Sequence, residues 1–199
     1  MSVPASYFEQ LFAHNDDPWA FRTRWYEKRK RELLLASLPR QYYARVFEPA
    51  CANGELSAGL AERAECLLCQ DLNATAVRLA RERLRPWPNA QVIQGCLPGD
   101  WPPGAFDLIV LSEIAYYLDP DQWLEVLERA VASLTGDGAL VLCHWLHPID
   151  GCPQTGHQAH ELLAERLPLY RSLRHEEADF ILEHWCLLPC TIDLNEPCQ

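Results

Sequence analysis

The stretch Val46-Phe47-Glu48-Pro49-Ala50-Cys51-Ala52-Asn53-Gly54-Glu55, read with Leu68-Cys69-Gln70-Asp71-Leu72, decides the fold. Val46 and Phe47 close an apolar run, the next residues are nearly all small, and Leu56, Leu60 and Ala61 then recur with helical period. The pattern is strand, tight turn, helix. Small residues let the backbone approach a ligand, and the start of a helix offers unpaired N–H groups and positive dipole to an anionic or polar group. Asp71 ends the next apolar run, at the separation where an acidic residue meets ribose hydroxyls in dinucleotide sites. The loop alone has one glycine where a dinucleotide fingerprint has three, with Ala50 and Ala52 at the earlier small positions, so it also suits a plain turn. Asp71 alone also suits a solvated strand end or a helix cap. Together they point to a nucleotide-type cofactor on one βαβ unit.

Outward from this unit, strands alternate with helices. Strands are expected near Arg45–Ala50, Glu65–Leu72, Ala90–Gln94, Phe106–Leu111 and Ala139–Trp145, with helices over Glu55–Arg63 and Asn73–Leu84. Phe106-Asp107-Leu108-Ile109-Val110-Leu111 has the continuous apolar character of a central parallel strand buried on both faces. Pro120 and Gly136-Asp137-Gly138 bracket a helix with Trp123, Leu127, Val131 and Leu134 on one face. This spacing implies a doubly wound α/β fold with a mostly parallel sheet. The tail differs: Gly151–Thr155 reads as an insertion, His160–Leu167 as helical, and Arg171–His175 with Phe180–Leu188 as an antiparallel hairpin. Asn195–Gln199 reads as a loose end. Residues 1–40 form an N-terminal helical cap interrupted at Asp17-Pro18-Trp19, and residues 41–195 the α/β domain.

A chain of 199 residues fits one domain with a full core. It is 49% hydrophobic without a run long enough to cross a bilayer, and no basic-then-apolar leader opens it, so a cytoplasmic location is expected. Nine cysteines, an odd number with several in apolar strand-like runs such as Cys66, Cys69, Cys143 and Cys186, read mostly as buried thiols rather than disulfides. Cys66 and Cys69 would face opposite sides of a strand, which argues against a metal site. The net charge of −11 argues against nucleic acid as partner. Arg22, Arg24, Lys28, Arg29, Lys30 and Arg31 crowd the cap and read as a basic face docked on an acidic body, with an anion-binding surface as the alternative.

A parallel α/β core, an acidic residue opening a small-residue loop, another ending the second strand and a terminal hairpin together resemble the Rossmann-like S-adenosylmethionine (SAM) methyltransferases. That resemblance implies a seven-stranded sheet of order 3-2-1-4-5-7-6 with strand seven antiparallel, in three α/β/α layers. Asp17-Pro18-Trp19, Trp25-Tyr26-Glu27-Lys28-Arg29-Lys30, Glu48-Pro49-Ala50-Cys51, Ser112-Glu113, Tyr116-Tyr117-Leu118 and His144-Trp145-Leu146-His147-Pro148-Ile149 more narrowly resemble NodS-like methyltransferases. The resemblance implies SAM as cofactor, leaving as S-adenosylhomocysteine. Glu48, Ala50, Cys51 and Gly54 would seat the methionine part, Asp71 the ribose and Leu72 the adenine. Cys96 and Leu97 stand where the family often has an acid for the adenine amine, unless Asp100 reaches back. Ser112, Glu113 and Tyr117 would lie near the sulfonium.

Methyl transfer is a direct displacement, so the protein mainly aligns the reactants and excludes water. Where the acceptor arrives protonated, His147 is the first candidate base, followed by His144 and Glu113. His147 equally suits a structural or substrate-shaping role, and Glu113 a helix-start carboxylate. Trp19, Trp25, Tyr26 and Arg29 in the cap, with Tyr116 and Trp145, are candidates for substrate or lid contact, the aromatics also fitting a plain core. The expected partner is a small-molecule acceptor, which the NodS resemblance implies is an amino sugar of an oligosaccharide. The expected enzyme transfers methyl to N or O and is a monomer or homodimer without membrane or nucleic-acid partners. A non-catalytic SAM or nucleotide binder and an NAD-dependent oxidoreductase are the alternatives.

Overall fold

The computed structural model describes residues 1–198. Seven strands form one sheet in the order β3-β2-β1-β4-β5-β7-β6. They are β1 (Tyr43–Pro49), β2 (Ala64–Asp71), β3 (Ala90–Gln94), β4 (Phe106–Ser112), β5 (Leu134–Trp145), β6 (Tyr170–Glu176) and β7 (Phe180–Cys186). β1 to β5 pair in parallel, whereas β7 is antiparallel to both β5 and β6, as the resemblance implies.

Alternation along β4 divides the core. Leu108 and Val110 join one cluster with Val46, Leu67 and Val141, while Ile109 and Leu111 join Phe47, Leu140 and Leu142 on the other face. α2 (Trp25–Ser37), α3 (Glu55–Ala61) and α4 (Ala74–Arg83) cover the first face through Leu34, Leu60 and Val77. α5 (Pro120–Ala132) and α6 (Gly156–Arg166) cover the second through Trp123, Leu127 and Leu163. A strand covered on both faces has no reason to alternate polar and apolar residues, which is why β4 reads as a continuous apolar run.

Three boundaries differ from the sequence reading. The helix after Pro120 stops at Ala132, because Ser133, whose N–H still bonds back to Arg129 and Ala130, leaves helical backbone at φ −103° and ψ 4°. Leu134 therefore opens β5 opposite Phe106 instead of extending the helix face, and Thr135–Gly138 fall within a register shift of the β4–β5 ladder. α6 begins at Gly156, where Thr155 forms a capping box with Gln158. Cys66 is exposed whereas Cys69 is buried, so the Cys66 thiol is not a core group.

The cap consists of α1 (Ala5–His14), a turn and α2. Asp17 organises the turn by accepting the N–H groups of Phe21 at 2.8 Å and Arg22 at 2.9 Å. Phe12 packs on Ala76 and Leu79 beside Trp19, seating α1 on α4. The basic segment is docked: Arg29 makes a bidentate pair with Glu177 at 2.7 and 2.8 Å, and Arg22 and Arg31 lie 3.8 and 3.9 Å from Glu55. The end read as loose is exposed but tied, with Gln41 donating to the Pro197 carbonyl at 3.0 Å; Gln199 lies outside the described residues. Among the described residues no helix is long and apolar enough to cross a membrane.

Candidate active site

The β1–α3 loop carries the local strain of the fold. Ala50, Ala52 and Gly54 all have left-handed backbone, with φ of 55°, 47° and 79°. At Gly54 a Cβ would lie 3.1 Å from the Ala80 Cα, so α3 can start against α4 only with glycine there. Alanine pays for the same conformation at 50 and 52, and the loop is held by its surroundings: Cys51 N–H bonds to Gln70 O at 3.1 Å and Ala52 N–H to Asp71 Oδ2 at 3.0 Å. Asn53 Nδ2 donates to Asp17 Oδ1 at 2.8 Å, fastening the loop to the cap, while its buried Oδ1 has no partner among the described residues.

A cavity of about 600 Å³ opens at the carboxyl ends of β1, β2, β4 and β5. Ligands bind on this side of open parallel sheets. Its floor is Glu48, Ala50, Cys51, Ala52 and Asn53, its flank Leu72, Cys96 and Leu97, and its far end Ser112, Glu113, Tyr116, Tyr117 and Trp145. The cap closes it with Tyr7, Phe8, Trp19, Phe21, Tyr26 and Lys30.

The two ends differ in charge. Burial raises the Glu48 carboxyl to about 8, against the lowering effect of the nearby Ser57 hydroxyl and of the Cys69 thiol, which donates to Oε2 at 3.6 Å. Glu48 is thus a neutral acid at the floor of the free cavity. At the far end Lys30 Nζ lies 2.5 Å from Glu113 Oε1 and 3.0 Å from Glu27 Oε2. Burial opposes the Lys30 charge, but Glu113 and Glu27 outweigh it and its pKa is raised. Glu113, itself at a left-handed φ of 57°, also accepts the Tyr116 hydroxyl and the Trp145 N–H, the latter at 3.1 Å. These three donors fix the orientation of the carboxylate in the wall. Tyr26 stands edge-on to Trp145, with ring centroids 5.5 Å apart, and its buried hydroxyl has no partner among the described residues.

Several residues expected at the site lie elsewhere. His144 is fully buried, its Nε2 bonded to the Ala115 N–H and its Nδ1 to His160, so it does not face the cavity and has no nitrogen to offer a substrate. His147 is outside the lining, half exposed and paired with Asp179 at 2.7 Å. Trp25 is 74% exposed, and Arg29 is spent on Glu177. Gly54 shapes the loop from behind. Asp71 is not in the lining either; its carboxylate accepts the N–H groups of Ala52 and Asn73, and burial raises its pKa while those bonds lower it. Asp100 is not in the lining, but its carboxylate reaches back to Cys96, Oδ2 accepting the Cys96 N–H at 2.8 Å. Sequence reasoning missed Lys30 and Glu27 as site residues. Their spacing of three on α2 was visible, but nothing local told which cap charges turn inward.

The sheet order with its antiparallel seventh strand, closed over by a cap at the loop of β1, is the fold of the Rossmann-like methyltransferases. The chain belongs to the NodS family, whose model, Nodulation protein S (NodS), matches residues 8–167. Nodulation protein S of Bradyrhizobium diazoefficiens is 28% identical over 146 residues, 72% of this chain and 69% of that protein. A crystal structure of a candidate methyltransferase from Pseudomonas syringae is 50% identical, covers 81% of this chain and 99% of its own, and has a TM-score of 0.73. The N-methyltransferase NodS from Bradyrhizobium japonicum, solved with S-adenosylhomocysteine, is 24% identical over 90% of this chain and 96% of its own, with a TM-score of 0.80.

Proposed function

We propose that this chain transfers a methyl group from SAM to the nitrogen of a small amine acceptor, of which an amino sugar is the leading class. The observation that carries the reading is the single cavity in which a left-handed, small-residue loop with a buried acid faces a cap-covered polar cluster. The residues present fit the cofactor: Glu48 suits its ammonium, the close backbone of Ala50–Asn53 its aminoacid end, and Leu72 and Leu97 its adenine face. Asp71, next to Leu72, keeps acceptor capacity on its carboxylate for ribose hydroxyls beyond the two backbone bonds it makes. Bound SAM supplies an electrophilic methyl on a sulfonium.

The chain's own part is alignment and exclusion of water. Tyr26, with its unpartnered buried hydroxyl, offers the acceptor a hydrogen bond on the side of the cap. Lys30 pairs with Glu113 and fixes it, so that Glu113 orients the wall. The acceptor enters as the free amine, and the proton carried by the methylated nitrogen after transfer is lost to solvent. The aromatic residues of the cap and Trp145 supply flat faces suited to a sugar ring. That the relative solved with S-adenosylhomocysteine is an N-methyltransferase supports nitrogen over oxygen.

The test is a mass-spectrometric screen of amines, amino sugars and alcohols for a SAM-dependent gain of one methyl. The expected result is methylation of an amine, reduced about tenfold in kcat/KM by Tyr26→Phe with S-adenosylhomocysteine affinity retained. Methylation of hydroxyls alone would refute the acceptor class, and absence of S-adenosylhomocysteine binding the cofactor.

A further inference from the structure

A buried polar chain lies behind the cavity wall and takes no part in the chemistry above. Ala115, in the 3₁₀ turn Ala115–Tyr117, presents its backbone N–H to His144 Nε2 at 3.2 Å. His144 Nδ1 lies 3.0 Å from His160 Nε2, and His160 Nδ1 lies 2.9 Å from Glu183 Oε2. Glu183 Oε1 then takes Arg174 at 2.7 Å and Arg171 at 3.0 Å, the only members that reach the surface. His144, His160 and Glu183 are 0%, 2% and 0% exposed. A carboxylate and two imidazoles in a core are costly unless each is fully paired, and here each is.

The direction of every bond follows from one fixed group. A backbone N–H can only donate, so His144 Nε2 carries the lone pair. The neutral ring then holds its proton on Nδ1 and gives it to His160 Nε2, which must accept. His160 in turn holds its proton on Nδ1 and donates it to Glu183. Such a chain cannot ferry a proton into the cavity, since its inner end is an amide that accepts none. It can only hold. We infer that His144, His160 and Glu183 form a one-way hydrogen-bond relay that positions the turn bearing Tyr116 and Tyr117, two residues beyond Glu113, at the acceptor end of the cavity.

The charges around the relay favour this state. Burial, then His160 and Lys30, lower the His144 pKa, so its ring stays neutral. Burial lowers that of His160, with Arg174 and His157 acting in the same sense and Glu183 opposing. Tyr116 and Trp123 close over His144 with T-shaped ring contacts, and the Trp185 indole N–H donates to Glu183 Oε2 at 3.2 Å. The turn and the residues beside it have further fastenings, among them Glu113 N–H to Cys143 O at 2.9 Å, Gln154 Nε2 to Ala115 O at 2.8 Å and Val3 N–H to Tyr117 O at 2.8 Å. The relay is therefore a positioning device that reaches from the β6–β7 hairpin to the wall facing the acceptor. Its role in turnover rests on the function proposed above; its tautomers do not.

The experiment has two arms on the full chain. ¹⁵N NMR of the histidine rings, assigned with His144→Asn and His160→Ala, should show both as neutral Nδ1–H tautomers from about pH 5.5 to 8. An Nε2–H tautomer or an imidazolium at either ring would overturn the relay, whatever the enzyme methylates. In the second arm, His160→Ala should lower kcat about tenfold while S-adenosylhomocysteine affinity stays within about twofold. Equal losses in both, or none in kcat, would overturn the positioning role. If His160→Ala fails to fold, Arg174→Ala at the exposed end serves, with a loss of about two- to threefold confined to kcat. Failure of wild-type protein to bind S-adenosylhomocysteine would instead count against the proposed function and leave the tautomer result standing.

Discussion

Glu48→Gln separates the acid at the cavity floor from its titration. The folded protein holds this carboxyl at about 8 against an ordinary 4.5, with burial as the main cause. A raised acid pKa means that the folded state keeps a proton the unfolded chain gives up, so stability falls as pH rises between those two values. Below about 4.5 both states are protonated and nothing is lost; above about 8 both are ionised and the penalty is constant. At pH 7 the gap of 2.5 units from 4.5 costs about 3 kcal/mol, at roughly 1.4 kcal/mol per unit. Glutamine keeps the shape and cannot ionise. Urea unfolding from about pH 5 to pH 8 should therefore show the variant gaining on wild type by about 4 kcal/mol across the range. Using the difference between the two proteins cancels every contribution common to both.

The same group links to cofactor binding. An ammonium placed beside Glu48 favours the carboxylate, so binding of S-adenosylhomocysteine at about pH 6.5 should release close to one proton from wild type and none from the variant. Calorimetry in buffers of different ionisation enthalpy measures this directly, and wild-type affinity should rise about tenfold per pH unit up to about 8. A flat stability difference, or equal proton release from both proteins, would refute the assignment of a neutral acid at the floor.

Three further outcomes follow from the geometry. Gly54→Ala forces a Cβ to within 3.1 Å of the Ala80 Cα at a φ of 79°, and should cost about 1–2 kcal/mol of stability in thermal unfolding and weaken cofactor binding; an unchanged Tm would contradict the required turn. Lys30→Met leaves the buried Glu27 and the partly exposed Glu113 without their shared cation and should cost about 3–5 kcal/mol in urea unfolding, part of it regained in the Lys30→Met/Glu113→Gln double variant; additive losses would show that Lys30 and Glu113 are not coupled. His147→Ala should leave turnover within about twofold, because the ring lies outside the cavity on an exposed pair with Asp179, and a hundredfold loss would restore it as the base.

Much of the fold was legible because each signal was local. The small-residue loop at Ala50–Gly54, the two-sided apolar run of β4 and the polar turn between β6 and β7 each lie within a dozen residues, and period and turn chemistry suffice to read them. Boundaries failed where a long-range contact won. Leu134 continues a helical period, yet pairing with Phe106 claims it for β5. At the site, Glu48, Leu72, Glu113, Tyr26 and Trp145 were legible from their places at strand ends or in the cap motif.

Sequence by itself determined the layering, the sheet class and the position of the cavity, since these follow from periodicity and from the rule that ligands sit at the carboxyl ends of parallel strands. Only the tertiary structure decided which of the charged and titratable residues face that cavity. His144 and His147 are three residues apart, yet one is sealed behind the wall against His160 and the other stands in solvent against Asp179. Lys30 was one of six cations read together as a docked basic face, and it is the buried one that turns in to pair with Glu113. A side chain's direction depends on what packs against its element, and those partners lie 83 residues away for Lys30 and 16 for His144, beyond the reach of any local pattern.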